Sequence, residues 1–456
     1  MPDKKHIKLG RDLLPWERAV LDACDLYLVG GTVRDQLLGI RAESLDRDYL
    51  ATRITMDDLV PILERFGKPS LVGKSFGVIK FYSPEGEQID ISLPRTEHST
   101  GPGHRDFDVR YDPTLPVEKD LERRDFTINS MALHLGSLHL VDPLHGEQDL
   151  KSRTLRINHE ESFREDPLRI IRGVQFIARF DLEVDDETLR IMHRDKDLLI
   201  SVSPERIREE LNKMMLLAKC PGDGYLFMHE HGILPLILPE LEAAFGVEQN
   251  EFHPDDLFTH STKSCNEAEP TLHLRWSALL HDLGKKDTKQ EVKGRIVFYR
   301  HENVSAEITR NVLNRLRFPN EFVSRVEHLV RHHMFLITDE WSDSAVRRFI
   351  ARVGRENVDD LLLLRRADAI SRGDREVDAN VSYIRERIER VTTAEAAFKR
   401  EDLAINGADV IRTLGIEPGP EVGRILSALL EYVLEDPSLN ESEKLLELAR
   451  EIHSES

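Results

Sequence analysis

Strand-type and helix-type patterning occupy different parts of this 456-residue chain. Short apolar runs such as "LYLVGG", "DRDYLAT", "FGVIKFYS", "EQIDISL" and "LHLVD" fall between residues 26 and 150. They alternate with helical stretches, among them "TVRDQLLG" and "TMDDLVPILERFG", which is the pattern of a mixed α/β domain. Beyond about Leu155 the period changes. "DPLRIIRGVQFIARF", "DETLRIMHRD" and "PERIREELNKMMLLA" repeat apolar residues at helical spacing, with Gly/Pro joints at "CPGDG", "GRENV" and "GIEPGPE". At roughly 100–200 residues per domain such a chain exceeds one core. The pattern predicts an α+β head on a long all-helical body. The expected divisions are an N-terminal extension over 1–20, the head over 21–153, a helical neck over 154–225, a body over 226–385 and a tail over 386–456.

Composition narrows the classes. No apolar run approaches the roughly 20 residues that span a bilayer, and "MPDKKHIKLGRDLLPWERAV" lacks an export core. Cys24, Cys220 and Cys265 show no CxxC spacing, which argues for a reducing, cytoplasmic setting and against a disulfide frame or cysteine zinc site. The net charge of -20 opposes indiscriminate RNA binding. It is uneven, with 13 acidic against 4 basic residues over 401–456.

"LYLVGGTVRDQLLGIRAESLDRDYLAT" carries the first chemical signal. Asp46 and Asp48, two apart on a predicted strand, would share a face. Side-by-side carboxylates are costly unless a cation neutralises them, and hard ions such as Mg²⁺ prefer carboxylate oxygens. Gly30 and Gly31 would let the backbone approach a triphosphate, with Thr32 and Arg34 close by, and Asp90 in "QIDISL" offers a third carboxylate. Taken alone, a DxD is more often a solvated strand edge.

Four long stretches in order remove the ambiguity. "LVGGTVRDQLLG" with "DRDYLAT", then "LERRDFTINSMAL", "EDPLRIIRGVQFIARF" and "SPERIREELNKM" resemble the motifs of class II tRNA nucleotidyltransferases, the CCA-adding enzymes of the polymerase-β superfamily. The resemblance implies a polymerase-β-type head in which Asp46 and Asp48 are catalytic and hold Mg²⁺, and Asp90 is expected as the third catalytic carboxylate. It implies that Arg124 and Asp125 recognise the ribose, that Asn129 and Arg172 also serve the nucleotide, and that tRNA, CTP and ATP are the partners. "SLPRTEHSTGPGHRDFDVRYDPTLP" would be a flexible loop between head motifs. Asp166 and Arg169, three apart on a predicted helix, would read the base. Cytosine and adenine both show an amino donor beside a ring-nitrogen acceptor, whereas uracil and guanine show the reverse. A carboxylate beside a guanidinium matches the first pair and opposes the second.

The body holds another constellation. His260, the adjacent pair His281 and Asp282, His301, His333 and Asp368 lie on successive predicted helices. This order resembles the HD phosphohydrolase superfamily. The resemblance implies a metal site made by His260, His281, Asp282 and Asp368, with Lys285, His301 and His333 facing substrate phosphate or a second metal. Such ligands suit Mn, Ni, Fe or Zn, with Mg²⁺ a further option. It further implies 2′,3′-cyclic phosphodiesterase and phosphatase activity.

The expected function is therefore CCA synthesis and repair joined to a phosphohydrolase, in a monomer or homodimer. Rival expectations are an A-adding or CC-adding enzyme, a poly(A) polymerase, or a standalone HD hydrolase. The long loop speaks against CC addition, and the pI near 5.5 against holding long RNA tails.

Overall fold

A computed structural model describes residues 7, 9, 11–40, 47–71, 77–83, 86–99, 107–250, 254–335, 341–374, 376–393 and 399–454. The chain divides into two units, 1–214 with 230–236, and 215–229 with 237–456.

The strands of the first unit are β1 (Asp25–Val29), β2 (Asp48–Thr52), β3 (Lys68–Leu71), β4 (Val78–Tyr82), β5 (Gln88–Ser92), β6 (Arg95–Ser99), β7 (Phe107–Tyr111), β8 (Ala132–His134), β9 (Leu140–Val141), β10 (Thr154–Leu155) and β11 (Glu183–Val184). Seven of them form one sheet in the order β3-β4-β5-β2-β1-β8-β9. Within it only β2 and β5 run parallel, and their register sets Asp48 opposite Asp90. Both faces of the central strands are covered, which explains their near-continuous apolar runs. On one face Tyr27, Val29 and Leu50 pack with Val117 and Leu121. On the other, Trp16 meets Tyr49 and Phe81 edge-on at 5.0 and 5.4 Å.

That second face corrects the expected N-terminal extension. Pro15–Leu21 is a helix whose Trp16 and Val20 are buried, so it is part of the head. Glu17 fastens it, accepting hydrogen bonds from Arg11 and Leu14 N at 2.8 and 2.7 Å and from the Tyr49 hydroxyl at 2.6 Å.

The stretch expected as a flexible loop contains a strand pair. β6 and β7 pair as an antiparallel ribbon from Arg95↔Tyr111 to Ser99↔Phe107, and residues 100–106 lie outside the described residues. The neck adds the short parallel pair β10–β11 to its helices Leu168–Phe180 and Asp186–Asp195.

Among the described residues the second unit is helical with one exception. β12 (Lys289–Val292) and β13 (Arg295–Phe298) form a hairpin where only helices were expected. Lys293 and Gly294 both take positive φ, 53° and 77°, the geometry of a tight two-residue hairpin turn. The helices Leu257–Glu267, Leu272–Leu280, His301–Arg315, Asn320–Arg331 and Val358–Ser371 build the body. A separate apolar cluster including Val410, Ile425, Leu429, Val433 and Leu445 forms the tail core. Among the described residues no helix is long and apolar enough to cross a membrane.

Candidate active site and candidate metal centre

Asp46 lies outside the described residues. Asp48 opens β2 at an exposed position, beside Asp90 on the parallel neighbour. Oδ1 of Asp90 is buried with no hydrogen-bond partner among the described residues. A buried unsatisfied carboxylate oxygen is expensive, and a like charge on the next strand makes it more so. A hard divalent ion between the two relieves both costs, so the residues fit Mg²⁺.

The glycine turn sits against a cation. Gly30 has φ +65°, and a Cβ there would come within 2.9 Å of Arg124 Nη1. Any side chain would be strained in that backbone region and would also push the guanidinium aside. Asp120 anchors Arg124 through Nη2 at 3.3 Å and Arg123 through Nη2 at 2.6 Å, while Arg124 Nε is buried without a partner among the described residues. Thr32 Oγ1 accepts the Asp48 N–H at 3.4 Å, linking the turn to the carboxylate strand.

Arg34, expected at the nucleotide, is bonded within the protein. Its guanidinium donates to Asn129 Oδ1 at 2.6 Å and to Asp35 Oδ1 at 2.8 Å. It also lies over the Phe176 and Phe180 rings, 5.1 and 4.6 Å from their centroids. Burial lowers its pKa against the pull of Asp35. Asn129 in turn donates to Asp125 Oδ1 at 3.1 Å, and Arg172 Nε to Asp125 Oδ2 at 2.9 Å. Burial alone would raise the Asp125 pKa, but the Arg172 and Arg169 charges outweigh it and hold the carboxyl below its usual range. The chain Arg34–Asn129–Asp125–Arg172 thus ties the glycine turn to the neck helix.

Asp166 and Arg169 do not share a helix. Pro167 disfavours helical backbone in the residue before it; Asp166 is extended, with φ -143° and ψ 98°, and the helix starts at Leu168. Nor do they pair. Arg169 donates to Ser162 Oγ at 2.9 Å, Glu165 Oε2 at 3.1 Å and Arg123 O at 3.1 Å. Asp166 is held by Arg206, Nη2 to Oδ2 at 2.8 Å. Arg206 was not among the expected site residues, although it lies in the quoted neck motif.

In the second unit all the expected residues converge. His260, His281, Asp282 and Asp368 bring ligand atoms within 4.8 Å of one another, and so do Asp282, His301 and His333. Asp282 is the shared member. Its Oδ2 lies 3.2 Å from Nε2 of both His260 and His281, and its Oδ1 lies 3.1 and 3.4 Å from Nε2 of His301 and His333. These last two contacts are off the hydrogen-bond direction.

Each ring is fixed from behind. Nδ1 of His281, His301 and His333 meets the carbonyls of Ala278, Phe298 and Val330 at 2.8, 2.9 and 2.6 Å, and Nδ1 of His260 meets Ser371 Oγ at 3.1 Å. With Nδ1 donating backward, each ring in its neutral form turns a bare Nε2 inward, as a metal ligand requires. Nε2 of His260 and of His281 stand 3.3 Å apart, close enough to share a proton or, once it is lost, a cation. Burial would lower the His281 pKa, yet Asp282 and Asp368 raise it to about 10, so metal entry would displace a proton. Lys285 Nζ lies 2.6 Å from Asp282 Oδ2 and donates to Gln249 Oε1 at 2.8 Å. Gly284 permits the close packing, since a Cβ there would lie 2.5 Å from the His301 carbonyl oxygen.

A mixed sheet with paired carboxylates on parallel neighbours, followed by a helical body, defines the polymerase-β class of nucleotidyltransferase. Residues 26–156 match the family model described as poly A polymerase head domain, and residues 288–449 match tRNA nucleotidyltransferase domain 2. The chain is 34% identical over 421 residues to the A-adding tRNA nucleotidyltransferase of Deinococcus radiodurans, covering 89% of this chain and 90% of that one. It is 36% identical over 322 residues to the multifunctional CCA protein of Burkholderia cenocepacia, covering 68% and 75%. The Bacillus stearothermophilus CCA-adding enzyme in complex with CTP shares the fold at a TM-score of 0.73 and 22% identity, over 97% of this chain and 98% of that one. This chain belongs to the CCA-adding tRNA nucleotidyltransferase family.

Proposed function

We propose that this protein adds CMP and AMP, from CTP and ATP, to tRNA 3′ ends and completes CCA without a nucleic-acid template. The observation that carries the reading is the buried, unsatisfied Asp90 oxygen beside Asp48 on the parallel strand. Asp48 and Asp90, with Asp46 as the expected third carboxylate, would hold Mg²⁺. When bound, the ion neutralises triphosphate charge and eases ionisation of the attacking 3′-hydroxyl. Gly30 leaves room for the triphosphate, and Arg124 aims N–H donors at the same space. Asp166, oriented by Arg206, accepts the amino proton of cytosine or adenine, while an N–H of Arg169 meets the ring nitrogen. Uracil and guanine present the opposite pattern and set an acceptor against Asp166 and a donor against Arg169, a mismatch that disfavours them.

The test is stepwise extension of tRNA transcripts lacking CCA, lacking only the last A, or complete, with each nucleotide separately and with CTP plus ATP. Growth that stops at CCA, and is lost in Asp48→Asn/Asp90→Asn, is expected. Addition of A alone would align this chain with its Deinococcus relative, CC alone would make it half of a pair, and long A tails would make it a poly(A) polymerase.

A second activity is favoured by the four imidazoles whose Nε2 atoms face one carboxylate. His260, His281, Asp368 and Asp282 Oδ2 would hold one divalent ion, and Asp282 Oδ1, His301 and His333 a second. Such a centre supplies an activated water for phosphoester hydrolysis, including opening of a 2′,3′-cyclic phosphate to a monoester. Release of phosphate from p-nitrophenyl phosphate across Mg²⁺, Mn²⁺, Ni²⁺ and Zn²⁺ tests it. Equal rates for wild type and Asp282→Ala would overturn it.

A further inference from the structure

Between Asp282 and His301 the chain reverses the sign of its charge. Over 285–300, "KKDTKQEVKGRIVFYR", six residues are basic and two acidic, within a chain of 63 basic and 83 acidic residues. The β12–β13 hairpin holds most of this stretch, and Lys289, Lys293, Arg295 and Arg300 are all exposed. Lys293, Arg295 and Arg300 make no ion pair among the described residues, whereas most other arginines of this unit do: Arg310 with Glu327 at 2.5 Å, for example, and Arg325 with Asp360 at 2.6 Å. Tyr299, 62% exposed, follows the hairpin directly and stands two residues before His301.

We infer that this hairpin is a docking element for the single-stranded 3′ end of an RNA, guiding the terminal phosphate into the histidine–aspartate cluster. The inference rests on the phosphohydrolase reading of that cluster. The physical case has three parts. Exposed cations held by a two-residue turn follow a phosphodiester backbone through counterion release, without sequence preference. An exposed aromatic ring beside them offers a face to the last base. The covalent path fixes where that strand would lead, because β13 ends at Phe298, three residues before His301, an inward-facing ligand of the cluster, and the Phe298 carbonyl holds the Nδ1 of that ring at 2.9 Å. In a chain of net charge -20, a local positive field beside the cluster draws the end of a polyanion to that place.

The experiment uses the full-length metal-loaded protein and three substrates: an oligoribonucleotide ending in a 2′,3′-cyclic phosphate, the matching 2′,3′-cyclic mononucleotide, and p-nitrophenyl phosphate. Lys289→Gln/Lys293→Gln/Arg295→Gln is expected to raise KM for the oligoribonucleotide tenfold or more. The slope of log kcat/KM against log salt should flatten by about two, for three lost phosphate contacts on a single strand. Turnover of p-nitrophenyl phosphate and CCA addition should be unchanged, which also shows that the variant folds. Tyr299→Ala is expected to raise KM for both nucleotide substrates and leave p-nitrophenyl phosphate untouched. Unchanged oligoribonucleotide kinetics, or an equal loss on all three substrates, would overturn the hairpin's role while leaving the hydrolase intact. Loss of self-association instead of RNA affinity would assign the hairpin to an acidic protein surface and overturn it too. No hydrolysis of any substrate by the wild type would sink the phosphohydrolase reading, and the docking role with it.

Discussion

Arg206 holds both carboxylate oxygens of Asp166, Nη1 to Oδ1 at 3.2 Å and Nη2 to Oδ2 at 2.8 Å, across 40 residues of sequence. Asp166 follows a short helical turn and precedes Pro167, so its own backbone does little to aim it. The planar fork of an arginine orients a carboxylate in a way that a lysine point charge does not. Arg206→Ala is therefore expected to lower kcat/KM for CTP and ATP by about 10–100-fold, the value of one charge-assisted hydrogen bond, and to raise misincorporation of UTP. Arg206→Lys should restore binding more than selectivity. Single-nucleotide addition kinetics decide it, and unchanged CTP/UTP discrimination in Arg206→Ala would show that Asp166 is aimed by something else.

Arg34 and Phe180 bind the glycine turn to the neck helix through a 4.6 Å cation–π contact. Phe180→Ala and Arg34→Lys should each reduce CTP addition about tenfold, in line with a desolvated contact of about 1–2 kcal/mol. The double variant should be no worse than the poorer single one, because both remove the same link. Additive losses in the cycle would mean that Arg34 acts on the nucleotide independently of the ring.

Glu17 supplies a pH-dependent tie between the first helix and the sheet. Burial would raise its pKa, but hydrogen bonds from Arg11, Tyr49 and Leu14 outweigh this and hold it below the ordinary range. Its contribution is therefore present above the unfolded value of about 4.3 and is lost as pH falls through the folded value. Glu17→Gln should be less stable than wild type by about 1–3 kcal/mol at pH 7, since the half-buried Arg11 loses its charged partner and the Tyr49 hydroxyl loses a charged acceptor. The gap should close toward pH 3. Urea melts of both proteins from pH 3 to 7 measure it, and a gap that does not change with pH would exclude ionised Glu17 as the source.

The second unit should be stabilised by the ion it holds. At a free metal concentration about 100 times Kd, linkage gives about 2.7 kcal/mol, which would appear as a rise in the melting transition of this unit with Mn²⁺ or Ni²⁺. The rise should vanish in His281→Ala/Asp282→Ala and be reversed by chelation, with CTP and ATP addition retained in that variant. An equal rise in the variant would place the ion elsewhere.

The order of the architecture was legible because its signals are local. Alternation in "LYLVGG" and "QIDISL" and helical spacing in "DPLRIIRGVQFIARF" are read within one element, and β1, β5 and the neck helix appear where those patterns lie. The β12–β13 hairpin carried a local signal too, Lys293-Gly294 between short alternating runs, but it was overshadowed by the helical periods on either side. The first helix was missed because seven residues are too few for a period to stand out; its place in the head comes from Trp16 reaching Tyr49 and Phe81.

The contacts that make the sites are of another kind. Asp48 and Asp90 become neighbours because β3 and β4 fold outward and leave β5 free to run parallel to β2. Arg34 meets the neck helix because Phe176, Phe180 and Asn129 enclose it. Asp282 meets the imidazole of its neighbour His281 and three from other segments, a set that the family resemblance implied but periodicity did not, and Asp166 meets Arg206 rather than Arg169. Periodicity along a chain reports which face of an element is apolar, but a register, a rotamer or an ion-pair partner depends on which elements pack together, and residues tens of positions apart carry no local trace of that choice.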